Sequence, residues 1–142
     1  MKHYVLNGNV GEIANVIKDR QLYDESLWKI AAEQFKVQLD GESDGWRGEY
    51  WGKLMRGAVL VCKYTGDDKL YAILENTVLE LLSFADENGR LSSYSVETEF
   101  HGWDLWGRKY AAVGLEYFYE ICRDETLKKE ILNELKKHYD YI

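Results

Sequence analysis

The chain repeats itself at a spacing of about 57 residues: Gly45-Trp46 returns as Gly102-Trp103, Gly57 as Gly114, Asp67 as Asp124 and Leu70 as Leu127. Each copy opens on a Gly-Trp turn, continues as an aromatic-rich helix pattern, and turns at an aspartate into a more amphipathic one. A self-similar unit of that length is one helical hairpin, which cannot bury its apolar face alone and must stack on its neighbours. The expected fold class is therefore all-α, built from helical hairpin repeats, with residues 1–142 taken as a single domain. The chain holds about two and a half such units, where at least three are usually needed for a stable stack.

Apolar spacing places the helices. Residues 10–20 put Val10, Ile13, Ala14 and Ile17 on one face, and residues 24–38 put Leu27, Ile30, Ala31 and Phe35 inward, with Asp24 or Ser26 as the cap. DGESDG, 40–45, reads as a loop. From Arg47 to Tyr64 the pattern is apolar nearly all round in its second half, the mark of a buried helix. Gly66 ends it and Asp67 caps a fourth helix over 68–84, whose Leu70, Ile73, Leu74, Val78, Leu81 and Leu82 stripe suits an outer position. A fifth, aromatic and buried, spans 104–122, and a sixth, capped by Asp124, spans 125–139. Between the fourth and fifth lies the longest aperiodic segment, 85–103. It carries an Asn88-Gly89 turn and a short extended piece at Leu91, Tyr94 and Val96, and a loop of that length is usually functional or mobile. Buried and amphipathic helices thus alternate, an order shared by open superhelices and closed α/α toroids. A toroid of six such hairpins needs roughly 340 residues.

Composition narrows the function classes. Eighteen basic residues against 25 acidic ones give a net charge of −7, which argues against nucleic acid or an anionic membrane as partner. No window approaches the roughly 18 apolar residues of a membrane span, and the N-terminus lacks a signal-peptide pattern. Cys62 and Cys122 lie in apolar helical patterns and read as free core residues of a reducing compartment. The expected location is cytoplasmic.

Polar and aromatic groups concentrate where the two aromatic helices begin. One set is Trp46, Arg47, Glu49, Tyr50, Trp51 and Lys53. The other is Tyr94, Glu97, Glu99, His101, Trp103, Asp104, Trp106, Arg108 and Lys109. Flat rings beside carboxylates and donors suit a sugar, whose C–H face stacks on a ring while its hydroxyls need paired partners. Glycoside hydrolysis further needs two carboxyl-type groups, or a substitute nucleophile, across the scissile bond, and Glu97, Glu99 and Asp104 are the candidates. The same residues also have plain structural uses: Trp51 and Trp106 as packing wedges, Glu49 and Asp104 as complements to helix dipoles, and His101 in a loop hydrogen bond.

The ordered strings WRGEYWGKLMRGAVLVCKYTGDDKLY, DENGRLSSY and WDLWGRKYAAVGLEYFYEI resemble the N-terminal part of the β-L-arabinofuranosidase-like glycoside hydrolases, over roughly residues 45–142. The resemblance implies part of an (α/α)6-barrel. It also implies hydrolysis of β-L-arabinofuranosides with retention, by a cysteine nucleophile near zinc and a glutamate acid/base that belong to the barrel's second half, beyond residue 142. Cys62 and Cys122 do not match that motif. No cofactor is expected within this chain, and catalysis is not expected of it alone. Substrate-binding residues expected from the constellation and the resemblance are Trp46, Glu49, Lys53, His101, Trp103, Asp104, Lys109 and Tyr110. Expected partners are a carbohydrate and either the remainder of the barrel or a second copy. Two other classes compete: a standalone helical-repeat binding module, and an α/α-barrel glycosidase resembling the unsaturated-glycuronyl hydrolases, in which Asp104 would be the acid/base.

Overall fold

The computed structural model describes residues 8–38 and 47–142. Among them are six α-helices and no strand: α1 (Asn9–Ile17), α2 (Glu25–Val37), α3 (Arg47–Thr65), α4 (Asp68–Leu82), α5 (Asp104–Ile121) and α6 (Glu125–Tyr141). Each boundary lies within about three residues of its expected position. The caps explain the accuracy. Asp24 accepts from the Ser26 and Leu27 N–H groups, Asp67 from Leu70, and Asp124 from Thr126 and Leu127. Each aspartate satisfies donors that the first turn of a helix leaves open. Gly66, at φ 64°, closes α3 in the left-handed conformation that costs glycine least.

α3 and α5 pack side by side in the same direction through small residues. A Cβ added at Gly107 would sit 3.6 Å from the Gly48 Cα, one at Gly114 would sit 3.1 Å from the Gly52 Cα, and the Lys63–Glu120 ion pair (2.9 Å) marks their far ends. Glycines let two backbones approach where any side chain would hold them apart. The Trp51 ring, fully buried, fills the space beside Gly114 and donates its Nε1–H to Thr77 Oγ1 on α4 at 3.0 Å. One core runs from Trp28 and Phe35 on α2 through Met55 and Val59 on α3, Leu74 and Val78 on α4, Leu115 and Phe118 on α5, to Ile131 on α6.

Several expectations need correction. On α2, Ile30 is 59% exposed and Trp28 is buried in its place, its Nε1–H donating to the Leu22 carbonyl. The apolar face of α1 is open, with Val10 and Ile13 exposed, because no other described helix covers it. α3 is not buried all round: Leu60 and Tyr64 face outward, since its described neighbours lie on one side only. α4 is more enclosed than an outer helix, burying eight residues between α2, α3 and α5. The repeat-equivalent glycines also differ. Gly114 is closed against α3, whereas nothing lies within 4 Å of a Cβ at Gly57. No extended piece forms at 91–96; Leu91 and Tyr94 are buried in loop conformation and Val96 begins a 3-10 turn, Val96–Thr98.

α1 runs into a π-helical turn, Lys18–Leu22, which places Lys18 and Tyr23 on Asp67. The Asp67 carboxylate accepts from Lys18 Nζ (3.0 Å), the Tyr23 hydroxyl (2.5 Å) and the Leu70 N–H. Burial opposes its ionisation, but the bonds from Tyr23, Leu70 and Lys18 outweigh burial and hold its pKa at about 2. A carboxyl lowered by folding stabilises above its unfolded value, near 4, and loses that contribution as pH falls toward the folded one. Asp67→Asn should therefore cost about 2 kcal/mol at pH 7 and flatten the acid limb of stability between about pH 5 and 2, read by urea denaturation across that range.

Candidate functional site

The long loop is pinned at both ends of its course. Asp86 Oδ1 accepts from the Asn88 and Arg90 N–H groups, and Gly89, at φ 87°, lies so close to α6 that a Cβ would fall 2.3 Å from the Lys137 Cβ. The Gly89 carbonyl accepts from His138 Nδ1–H at 3.1 Å, and Ser93 Oγ accepts from the Gly48 N–H at the start of α3. Loop residues 89–94 are thereby carried into the interior.

Their burial creates a charged network beneath the start of α5. Asp104, fully buried, accepts from Ser92 Oγ (2.5 Å), the Phe100 N–H (2.8 Å) and Arg108 Nε. Arg108, 1% exposed, also pairs with Glu99, which accepts in addition from Arg90 Nε (2.7 Å) and the Tyr141 hydroxyl (3.0 Å). Burial opposes the Glu99 charge, yet the bonds from Arg108, Arg90 and Tyr141 leave its pKa below the ordinary glutamate value. The Arg108 guanidinium lies 5.0 Å from the Phe100 ring and 5.5 Å from the Tyr141 ring. Phe100 adopts a left-handed φ of 60°, which costs a non-glycine residue on the order of 1 kcal/mol, and these contacts hold it there.

Above this network, an exposed aromatic strip runs along α5. Trp103 and Trp106 meet edge to face at 6.3 Å between centroids, and Trp106 and Tyr110 at 5.3 Å. Lys109 Nζ lies 3.8 Å from the Trp106 centroid and 4.1 Å from that of Tyr110. From α3, Lys53 reaches the other side of the strip, 4.9 Å from the Tyr110 centroid, while pairing with the buried Glu49. Trp103 is 54% exposed and Trp106 40%, large areas to leave in water for rings of this size.

The expected site residues divide accordingly. Glu49, Lys53, Trp103, Lys109 and Tyr110 form one connected group. His101 is exposed nearby and donates from Nδ1 to the Glu99 carbonyl. Asp104 points the opposite way, into the network, with both carboxylate oxygens engaged and no exposed surface; it positions the loop and Arg108. Trp46 lies outside the described residues. Trp106, assigned to packing by sequence reasoning, is the centre of the strip. The spacing of 103, 106 and 110 on one helical face was the available signal. Arg90, Ser92 and Tyr141 were missed because nothing in the sequence pairs them with α5.

Cys62 and Cys122 are both buried, and their thiols face the Asp67 and Asp124 carbonyls. Burial raises the Cys62 thiol to about 11. Among the described residues no group of three or more His, Cys, Asp or Glu is arranged for a metal ion, and no helix is long and apolar enough to cross a membrane. No family model, curated protein or solved structure matches the chain.

Proposed function

We propose that this chain forms one wall of a carbohydrate-binding cleft, as part of an α/α toroid of the β-L-arabinofuranosidase-like type. The observation that carries this reading is the strip Trp103–Trp106–Tyr110, flanked by Lys109, Lys53 and Glu49. Its rings offer apolar faces and edges to sugar C–H groups, and the two ammonium groups offer donors to hydroxyls. The same-direction packing of α3 on α5 and the equivalent caps Asp67 and Asp124 support the toroid, in which successive inner helices run alike. The open surface at Gly57 and the uncovered Leu60 and Tyr64 suit the packing of further hairpins, or of a second copy. In this reading the chain binds sugar and does not cleave it alone.

The reading is tested by titrating the full chain with a β-L-arabinofuranosyl disaccharide and following tryptophan fluorescence. Saturable quenching is expected, and Trp106→Ala should weaken it about tenfold or more by removing a stacking surface at the centre of the strip. A titration without saturation, or an unchanged affinity in a folded Trp106→Ala variant, defeats the proposal.

A further inference from the structure

A second concavity lies between α2 and α4 and shares no residue with the aromatic strip. It encloses about 300 Å³, the lower end of the range of small-molecule pockets, enough for one sugar-sized ring and too little for an oligosaccharide. Trp28 and Ile73, 2% and 6% exposed, form an apolar floor. Glu25 and Glu80 line the walls, and among the described residues neither carboxylate has an ion-pair or hydrogen-bond partner. Lys29, also on the rim, leans toward Glu33 at 3.9 Å instead.

Thr77 supplies an independent indication. Only 3% exposed, it lines the same cavity and accepts the Trp51 Nε1–H through its Oγ1. A hydroxyl also donates, and the Thr77 O–H is given to no described residue, although the hydroxyls of Thr65 and Ser83 each find a carbonyl on their own helices. With its oxygen engaged by Trp51, the Thr77 hydroxyl keeps its proton for an acceptor oxygen placed in the cavity. Asn76 adds an amide that both donates and accepts.

We propose that this cavity binds a small hydroxylated ammonium compound, an amino sugar or amino alcohol. The ammonium lies against Glu25 and Glu80, a hydroxyl oxygen accepts from Thr77, and the carbon skeleton rests on Trp28 and Ile73. The two carboxylates exclude an anion, and Thr77 and Asn76 disfavour a purely apolar amine.

The probe is D-glucosamine, titrated into the full chain at low ionic strength and followed by amide NMR, with D-glucose as the uncharged control. Glucosamine should move the Asn76 side-chain amide and the Thr77 backbone amide saturably, leaving the Trp103 and Trp106 indole signals in place. Glucose should bind at least tenfold more weakly, and Glu80→Gln should weaken glucosamine about tenfold without lowering the melting temperature. Glu25→Gln gives the same readout should Glu80→Gln fail to fold. The proposal is overturned if no saturable shift occurs at Asn76 and Thr77, if glucose binds equally, or if the folded glutamine variant binds unchanged. Shifts confined to the strip would also overturn it while leaving the cleft reading intact.

Discussion

Arg108→Met should destabilise the chain by about 3–5 kcal/mol, because it removes the cation from a buried pair and leaves its carboxylate behind. Asp104 has no exposed surface, and in the variant it would keep only the Ser92 hydroxyl and the Phe100 N–H. Glu99 would lose one of its three partners, and the Phe100 and Tyr141 rings would each lose their contact with the guanidinium. Set against a typical total stability of about 5–15 kcal/mol, such a loss leaves a substantial unfolded fraction. Asp104→Asn in the same chain removes the stranded charge, so the double variant should recover part of the loss. Urea denaturation of the two single variants and the double provides the cycle. Equal losses in Arg108→Met and the double variant would mean that the two groups do not act as a pair.

Gly52→Ala should destabilise by about 2–3 kcal/mol, although alanine is the better helix former by about 1 kcal/mol. A Cβ at residue 52 would stand 1.9 Å from the Tyr110 carbonyl oxygen and 2.3 Å from its carbon, both backbone atoms that cannot turn aside. α3 and α5 would have to separate, which disturbs Trp51 beside Gly114 and the Lys53–Tyr110 contact of the strip. Gly57 offers the opposite sign on the same helix. Nothing lies within 4 Å of a Cβ there, so Gly57→Ala should stabilise by about 0.5–1 kcal/mol through helix propensity and a less flexible unfolded chain. Thermal melts of the two variants read both signs directly. Stabilisation by Gly52→Ala would overturn the close packing of α3 on α5.

Acid should act on more than Asp67. His138, 2% exposed, has a pKa lowered chiefly by burial, with the Gly89 carbonyl opposing. A base whose folded pKa lies below its unfolded value costs stability as pH falls through the unfolded value, near 6.5, because the unfolded chain takes up the proton first. Loosening of the 89–94 loop against α6 should therefore begin at higher pH than the loss of the Asp67 contribution.

The helices were legible because their signals are local. Asp24, Asp67 and Asp124 announce starts, Gly66 a stop, and the Leu70–Leu82 stripe a buried face, each within a turn or two of chain. The strip was half legible. Trp103, Lys109 and Tyr110 were expected at a site, while Trp106 at its centre was assigned to packing because a ring spaced for a helical face suits core and surface alike. Asp104 illustrates the limit. Its place in the first turn of α5 was evident, but whether its carboxylate met a ligand or the interior depended on Ser92, twelve residues earlier, and on Glu99 and Tyr141 around Arg108.

By itself the sequence determined six helices, their caps, and an acidic chain rich in aromatics at two helix starts. Periodicity and capping depend on residues a few positions apart, so they survive without knowledge of the fold. Only the tertiary structure decided which faces close. It put Gly52 on a backbone and left Gly57 in open space, enclosed Asp104 and exposed Trp106, and opened a cavity over Trp28 that no spacing announced. Those outcomes depend on contacts between residues far apart in sequence, such as Gly52 against Tyr110 and Trp51 against Thr77, and such contacts leave no periodic mark along the chain.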